Sequence, residues 1–204
     1  VCRQVFAVDG VWIVDSTIPA RVAAVAAAID LSRTLVVVAS KSGTTIEVQA
    51  LLDFFYAILT PILERPGHRF VAITDPGTPL EQIAHDRGFR RLWLAPPDVG
   101  GRFSALSVFG TLPMELMGID SLAISTSARR MASSCAAGTS VLDNPGTRLG
   151  AALFSAYEKG RDKLTLSCSP SLSAFGLWVE QLIAESTGKE GFGLIPIVAE
   201  PPGE

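Results

Sequence analysis

Charge is scarce in this chain. Asp, Glu, Lys and Arg make up 18% of its 204 residues, against 48% hydrophobic residues. That balance excludes a disordered polymer and fits a chain that buries a sizeable core in one or two domains. A formal net charge of −3 offers nothing to a phosphodiester backbone, so no nucleic-acid partner is expected. Long apolar runs are also lacking. None approaches the roughly 18 residues of a membrane span, so no membrane partner is expected. Cysteine occurs three times, at Cys2, Cys135 and Cys168, far apart and never as CxxC. Such a set reads as buried or partly buried thiols, without a metal site, in a cytoplasmic protein. Histidine occurs twice; His68 follows Pro66-Gly67 and His85 precedes Asp86, and both read as surface residues with no partner at ligand spacing. Neither GxGxxG nor GxxxxGK[ST] is present, so neither common nucleotide fingerprint applies. The opening residues Val1-Cys2-Arg3-Gln4 hold no initiating Met and no signal-peptide pattern.

What is present is an alternation of strands and helices. Residues 1–8 read as the tail of a helix, Val11-Trp12-Ile13-Val14 as a strand, and 19–29 as an Ala-rich helix with Pro in its first turn. Residues 35–39 form a β-branched apolar run expected as a fully buried strand, and 46–64 show a helical period. A strand at 70–73, a short helix over 79–87 ending at Gly88 and a strand at 91–94 follow. This is the pattern of βαβ units on a parallel sheet covered on both faces, hence an α/β class. Ala95-Pro96-Pro97-Asp98 breaks it. Beyond it, 105–136 reads as two helices meeting near Gly118, with Pro113 in the first. A loop at 138–144, a helix over 145–159, a strand at 164–168, a helix over about 172–185 and a further segment at 194–198 complete the chain. Asp143-Asn144-Pro145 is most simply a helix N-cap. Trp12, Trp93 and Trp178 fall on apolar periods and are expected in the core. The expected division is 1–97 and 98–204.

Three clusters could carry chemistry. Ser40-Lys41-Ser42-Gly43-Thr44-Thr45 joins a strand's carboxyl end to a helix start, where unpaired N–H groups and the helix dipole favour an anion. Its hydroxyls and its lysine would complete a phosphate cradle; the simpler alternative is a Ser/Thr N-cap beside a surface lysine. In Gly100-Gly101-Arg102, two glycines allow close backbone approach and unusual backbone angles, and the arginine can aim a permanent charge at a phosphate or an oxyanion; ordinary turns use the same triplet. Gln181 and Glu185 stand four apart on one helix face. At a helix end the dipole favours the protonated carboxyl, which suits a general base; a solvated glutamate is the plainer alternative. Glu180 is expected to face solvent.

The order and spacing of these clusters resemble the glucose-6-phosphate isomerase family. The resemblance rests on Ser40 to Thr45 with Glu47, on Gly100-Gly101-Arg102-Phe103-Ser104-Ala105-Leu106-Ser107, on Gly110-Thr111-Leu112-Pro113 and on Glu185-Ser186-Thr187-Gly188-Lys189. It is nearest to the isomerase half of bifunctional transaldolase/glucose-6-phosphate isomerases. It implies sugar-isomerase (SIS) αβα sandwich domains, the interconversion of glucose 6-phosphate and fructose 6-phosphate through a cis-enediolate, no cofactor, and a homodimer. It implies that Ser40, Lys41, Ser42, Thr45 and Gln181 hold the sugar phosphate, with Thr44 and Gly101 close by. Arg102 would stabilise the enediolate, and Glu185 would move the proton between C1 and C2. The family's Gly-rich loop before the first helix and its ring-opening histidine have no match here, which suggests an internal fragment. Ser42 stands where the family more often has Thr, and Thr187 where it has Asn. Two alternatives remain: a non-catalytic SIS module that binds a sugar phosphate, and an isomerase of mannose or glucosamine phosphates.

Overall fold

The computed structural model describes residues 10–200; the helix expected over 1–8, and Cys2 with it, lie outside the described residues. Two compact units form, Gly10–Pro113 and one running on from Met114. Among the described residues no helix is long and apolar enough to cross a membrane.

The first unit contains α1 (Pro19–Ala28), β1 (Val36–Ala39), α2 (Ile46–Leu59), β2 (Phe70–Thr74), α3 (Pro79–Asp86) and β3 (Arg91–Leu94). Its strands pair in parallel in the order β1-β2-β3, with Val38 opposite Ala72 and Ala72 opposite Leu92. Right-handed crossovers between consecutive neighbours put α2 and α3 on one face of the sheet. Their apolar stripes accordingly share a core: Leu52, Phe55 and Leu59 from α2 and Leu80 and Ala84 from α3 meet Val38, Phe70 and Ala72, together with Val22 of α1. Phe70 stacks on Phe89, with ring centroids 5.2 Å apart. Each fully buried large side chain contributes about 1.5–3 kcal/mol. Val71 and Ile73, on the other face of β2, are buried as well.

Several expectations for this unit need correction. Residues 11–14 form no strand; Trp12 is about half exposed. An apolar run becomes a strand only within a ladder of paired strands, and the ladders among the described residues do not include this run. β1 is not fully buried: Val38 is, but Val36 and Val37 are half-buried and Ala39 is exposed. Among the described residues it is an edge strand that pairs only with β2, which is buried throughout. α2 stops at Leu59, five residues short of the predicted end. Pro61 follows, and a proline within a helix removes a hydrogen bond and clashes with the preceding turn. Trp93 and Trp178 are half-buried and, like Trp12, are not in the core.

α3 shows local signals acting together. Thr78 caps it by accepting from the Glu81 N–H at 3.3 Å, while the Glu81 carboxylate accepts the Gly77 N–H at 2.5 Å. This is a reciprocal cap, one residue looser than the usual box. Gly88, at φ +61°, ends it.

Past β3, residues Gly101–Leu106 make a 3-10 turn, and α4 (Val108–Leu116) begins three residues later than expected, with Pro113 inside it. Gly118, at φ +71°, separates it from α5 (Ser121–Ser134). α6 (Pro145–Glu158) is capped by Asn144, which accepts from the Thr147 N–H at 3.0 Å. β4 (Lys163–Leu166), α7 (Ser173–Thr187) and β5 (Ile195–Val198) complete the second unit. β4 and β5 pair in parallel, so these three elements are another βαβ unit. Gly176 lets α7 lie close to β5; a Cβ there would be 3.3 Å from Val198 Cγ1. Cys168 is exposed, against the expectation of a buried or partly buried thiol, and Cys135 is half-buried.

Candidate functional site

The loop between β1 and α2 leaves the sheet at its carboxyl edge. Ser40 is still tied to the sheet, its N–H donating to Ile73 O at 3.0 Å, and its side chain is buried. Its Oγ accepts the Gly43 N–H at 3.1 Å and lies 3.2 Å from Thr45 Oγ1. Ser42 Oγ accepts from both the Thr44 N–H (3.2 Å) and the Thr44 hydroxyl (2.9 Å). Gln49, one turn into α2, donates to Gly43 O at 3.0 Å. Gly43 is at φ +66°, and a Cβ there would meet Thr78 Cβ at 2.8 Å and Leu80 N at 2.9 Å. Only glycine lets the loop turn while touching the start of α3.

These bonds bear on the two readings of the loop's hydroxyls. Thr45 is the residue before α2, yet its side chain caps nothing; its hydroxyl is turned to Ser40. The first turn of α2 therefore keeps N–H groups without a side-chain cap, and Ser42, Thr44 and Thr45 are exposed beside it. Donors of this kind, at the positive end of a helix, suit an oxyanion. Glu47, in the same first turn and exposed, is the nearest opposing charge on α2.

Lys41 departs from the expected cradle. Its ammonium pairs with Asp75 Oδ2, and Pro97 O lies 3.4 Å away. The Lys41 carbonyl accepts from the Asp75 N–H at 3.2 Å, and Thr74 Oγ1 lies 3.4 Å from it. Thr74 is also 2.7 Å from the cap hydroxyl of Thr78. Reading the sequence missed Asp75, Thr74, Thr78 and Gln49. Their signal was topological: Thr74-Asp75 sits where β2 ends, and in a parallel sheet loops at that edge converge on one site.

Arg102 is half-buried in the 3-10 turn, its guanidinium stacked 4.8 Å above the Phe103 ring. Ser104 Oγ donates to Gly101 O at 2.6 Å, and Ser107 Oγ to Ser104 O at 2.7 Å. Neither glycine uses the unusual backbone angles open to it, since neither has a positive φ. A Cβ on Gly101 would meet nothing within 4 Å, so its use is an open backbone flank. Gly110 is the glycine this segment cannot replace, since a Cβ there would fall 1.9 Å from Ala105 O.

In the second unit, Gln181 and Glu185 share a face of α7 as expected, with Gln181 Nε2 donating to Glu185 Oε1 at 2.9 Å. Both are exposed, and Glu180, expected in solvent, is half-buried. The helix runs two residues past Glu185. Thr187 Oγ1 donates to Ile183 O at 2.9 Å and accepts the Leu194 N–H at 3.0 Å. His68 and His85 are exposed.

No family model matches the chain. It is 31% identical over 199 residues to a probable glucose-6-phosphate isomerase of Methanococcus maripaludis, covering 95% of this chain and 44% of that protein. It is 36% identical over 193 residues to the glucose-6-phosphate isomerase of Gloeothece citriformis, covering 89% and 35%. Among solved structures, a Thermus thermophilus protein described as hypothetical superposes with a TM-score of 0.82 at 29% identity, covering 90% of this chain and 45% of that one. A Chlamydia trachomatis glucose-6-phosphate isomerase does so with a TM-score of 0.72 at 25% identity, covering 98% and 40%. The chain spans less than half the length of these relatives.

Proposed function

We propose that this chain, homologous over most of its length to glucose-6-phosphate isomerases, carries part of the machinery of an aldose–ketose isomerase acting on glucose 6-phosphate and fructose 6-phosphate. The observation that carries the reading is the start of α2, whose N–H groups no side chain caps while the exposed hydroxyls of Ser42, Thr44 and Thr45 stand beside it. Such a site holds a phosphate far from the reacting carbons, and the binding energy of that remote group orients the sugar. Ser40 organises the loop, Gln181 assists the phosphate, and Gly101 leaves room beside Arg102.

The chemistry is a proton shift. In the open-chain aldose, the Glu185 carboxylate removes the proton on C2; the C2–H electrons form the C1–C2 double bond, and the carbonyl oxygen becomes an oxyanion. The result is a cis-enediolate. The same carboxyl returns the proton to C1 while the C2 hydroxyl proton passes to the C1 oxyanion and leaves C2 as the carbonyl, so no oxidant and no cofactor enters. Arg102 faces the developing negative charge with a guanidinium that stays protonated. Gln181, hydrogen-bonded to Glu185, fixes its orientation. The reading includes a homodimer in the cytoplasm, in line with the family resemblance.

Thermal titration tests the binding part. Ligand that binds the native state raises the midpoint as RT ln(1 + [L]/Kd). Fructose 6-phosphate should shift it well beyond inorganic sulfate; equal shifts would sink the sugar-phosphate reading. Glu185→Gln tests the chemistry. It should lower kcat about 100- to 10,000-fold, the usual span for a general base, with phosphate affinity retained. Unchanged turnover would remove Glu185 from the role of base.

A further inference from the structure

We propose that Asp75 cancels the charge of the phosphate loop and thereby weakens its hold on anions, an assignment that rests on reading the Ser40–Thr45 loop as a phosphate site. Lys41 is the loop's single cation. Its ammonium does not stand ready for a ligand; it is held by Asp75 Oδ2 with Pro97 O 3.4 Å away. The pair is anchored from below, because the Asp75 N–H donates to the Lys41 carbonyl at 3.2 Å. The two side chains are 25% and 16% exposed, so solvent screens their fields incompletely.

The second carboxylate oxygen sharpens the argument. Asp75 Oδ1 is buried and accepts no hydrogen bond from the protein. Among the described residues, Lys41 is the ion-pair partner of this carboxylate. The loop therefore meets a phosphate with neutral donors: N–H groups at the start of α2 and the hydroxyls of Ser42, Thr44 and Thr45. A phosphate dianion bound there feels attraction from Lys41 and repulsion from Asp75 at similar range. The two contributions largely cancel. Such a loop anchors its ligand by geometry and releases it readily, which suits a reversible isomerisation whose substrate and product carry the same phosphate.

Asp75→Asn separates charge from position, since the amide keeps the shape and can still accept from Lys41. Removing one negative charge roughly 6 Å from a dianion should tighten binding about tenfold at the dielectric of bulk water. The probe is inorganic phosphate, titrated calorimetrically into the chain, Asp75→Asn, Asp75→Ser and the double variant Lys41→Met/Asp75→Asn, each at low and high salt. Asp75→Asn is expected to bind about tenfold tighter, with a steeper loss of affinity in salt. Asp75→Ser should move in the same direction, and serves if the amide variant folds poorly. The double variant should lose the gain. A residue with a purely structural role would weaken binding, with no steeper salt dependence. Phosphate binding by the parent chain that is not tightened in either single variant overturns the proposal and leaves the phosphate-loop reading standing, as does a gain that survives loss of Lys41. Absence of saturable phosphate binding in every form overturns the loop reading, and this proposal with it.

Discussion

Gly43→Ala probes the joint on which the phosphate loop turns. Two costs add. The residue lies at φ +66°, where an L side chain costs roughly 1–2 kcal/mol. Its Cβ would also lie 2.8 Å from Thr78 Cβ and 2.9 Å from Leu80 N, neither of which is the loose end of a side chain. Thr78 cannot retreat freely, because its hydroxyl is 2.7 Å from Thr74 Oγ1 and accepts the Glu81 N–H. Forcing an atom into such a contact costs about 1–3 kcal/mol more. Gly77→Ala supplies the control, since Gly77 is at φ +76° with nothing within 4 Å of its Cβ position. The difference between the two variants isolates the steric part. In a unit of ~100 residues each kcal/mol moves the melting midpoint by about 4–8 °C. Circular dichroism melts should therefore show Gly43→Ala falling about twice as far as Gly77→Ala, and phosphate titration should show weaker binding in the former alone. Equal melting shifts would refute the contact between the loop and the start of α3. An unshifted Gly43→Ala would refute the left-handed turn itself.

Three further outcomes follow from single observations. Gly110→Ala places a Cβ 1.9 Å from Ala105 O, so the backbone must move; urea unfolding should lose at least ~1–3 kcal/mol. Asn144→Ala removes the cap of α6 and should cost about 1 kcal/mol, with faster amide exchange at Thr147. The Ser32 hydroxyl, with smaller help from the Ser32 N–H and Arg33, holds the Asp30 carboxyl below its ordinary range. Its folded value lies under its unfolded one, so its contribution is complete above about pH 4 and fades as pH falls through the folded value. A carboxyl NMR titration should find Asp30 low, and Ser32→Ala should bring it back toward the ordinary range.

The local devices were readable because their causes are local. Asn144 before Pro145, Gly88 after α3 and the strand–loop–helix around Ser40 depend on residues within a turn of one another. The spacing of Gln181 and Glu185 sets their hydrogen bond because helix geometry alone brings residues four apart together. Other features needed the assembled sheet. The apolar run at 11–14 satisfies every local rule for a strand and is not one, since pairing belongs to a partner and not to the run. Whether Val36 and Val37 were buried depended on β1 being an edge strand. The value of Gly100-Gly101 lay in open space beside Gly101, not in unusual angles. Most tellingly, Lys41 and Asp75 are 34 residues apart. The sequence by itself determined an α/β chain with a hydroxyl-rich loop at a helix start. Only the parallel pairing of β1 with β2 decided that the loop's lysine meets an aspartate, because register between strands, a long-range property, sets which residues leave the sheet side by side.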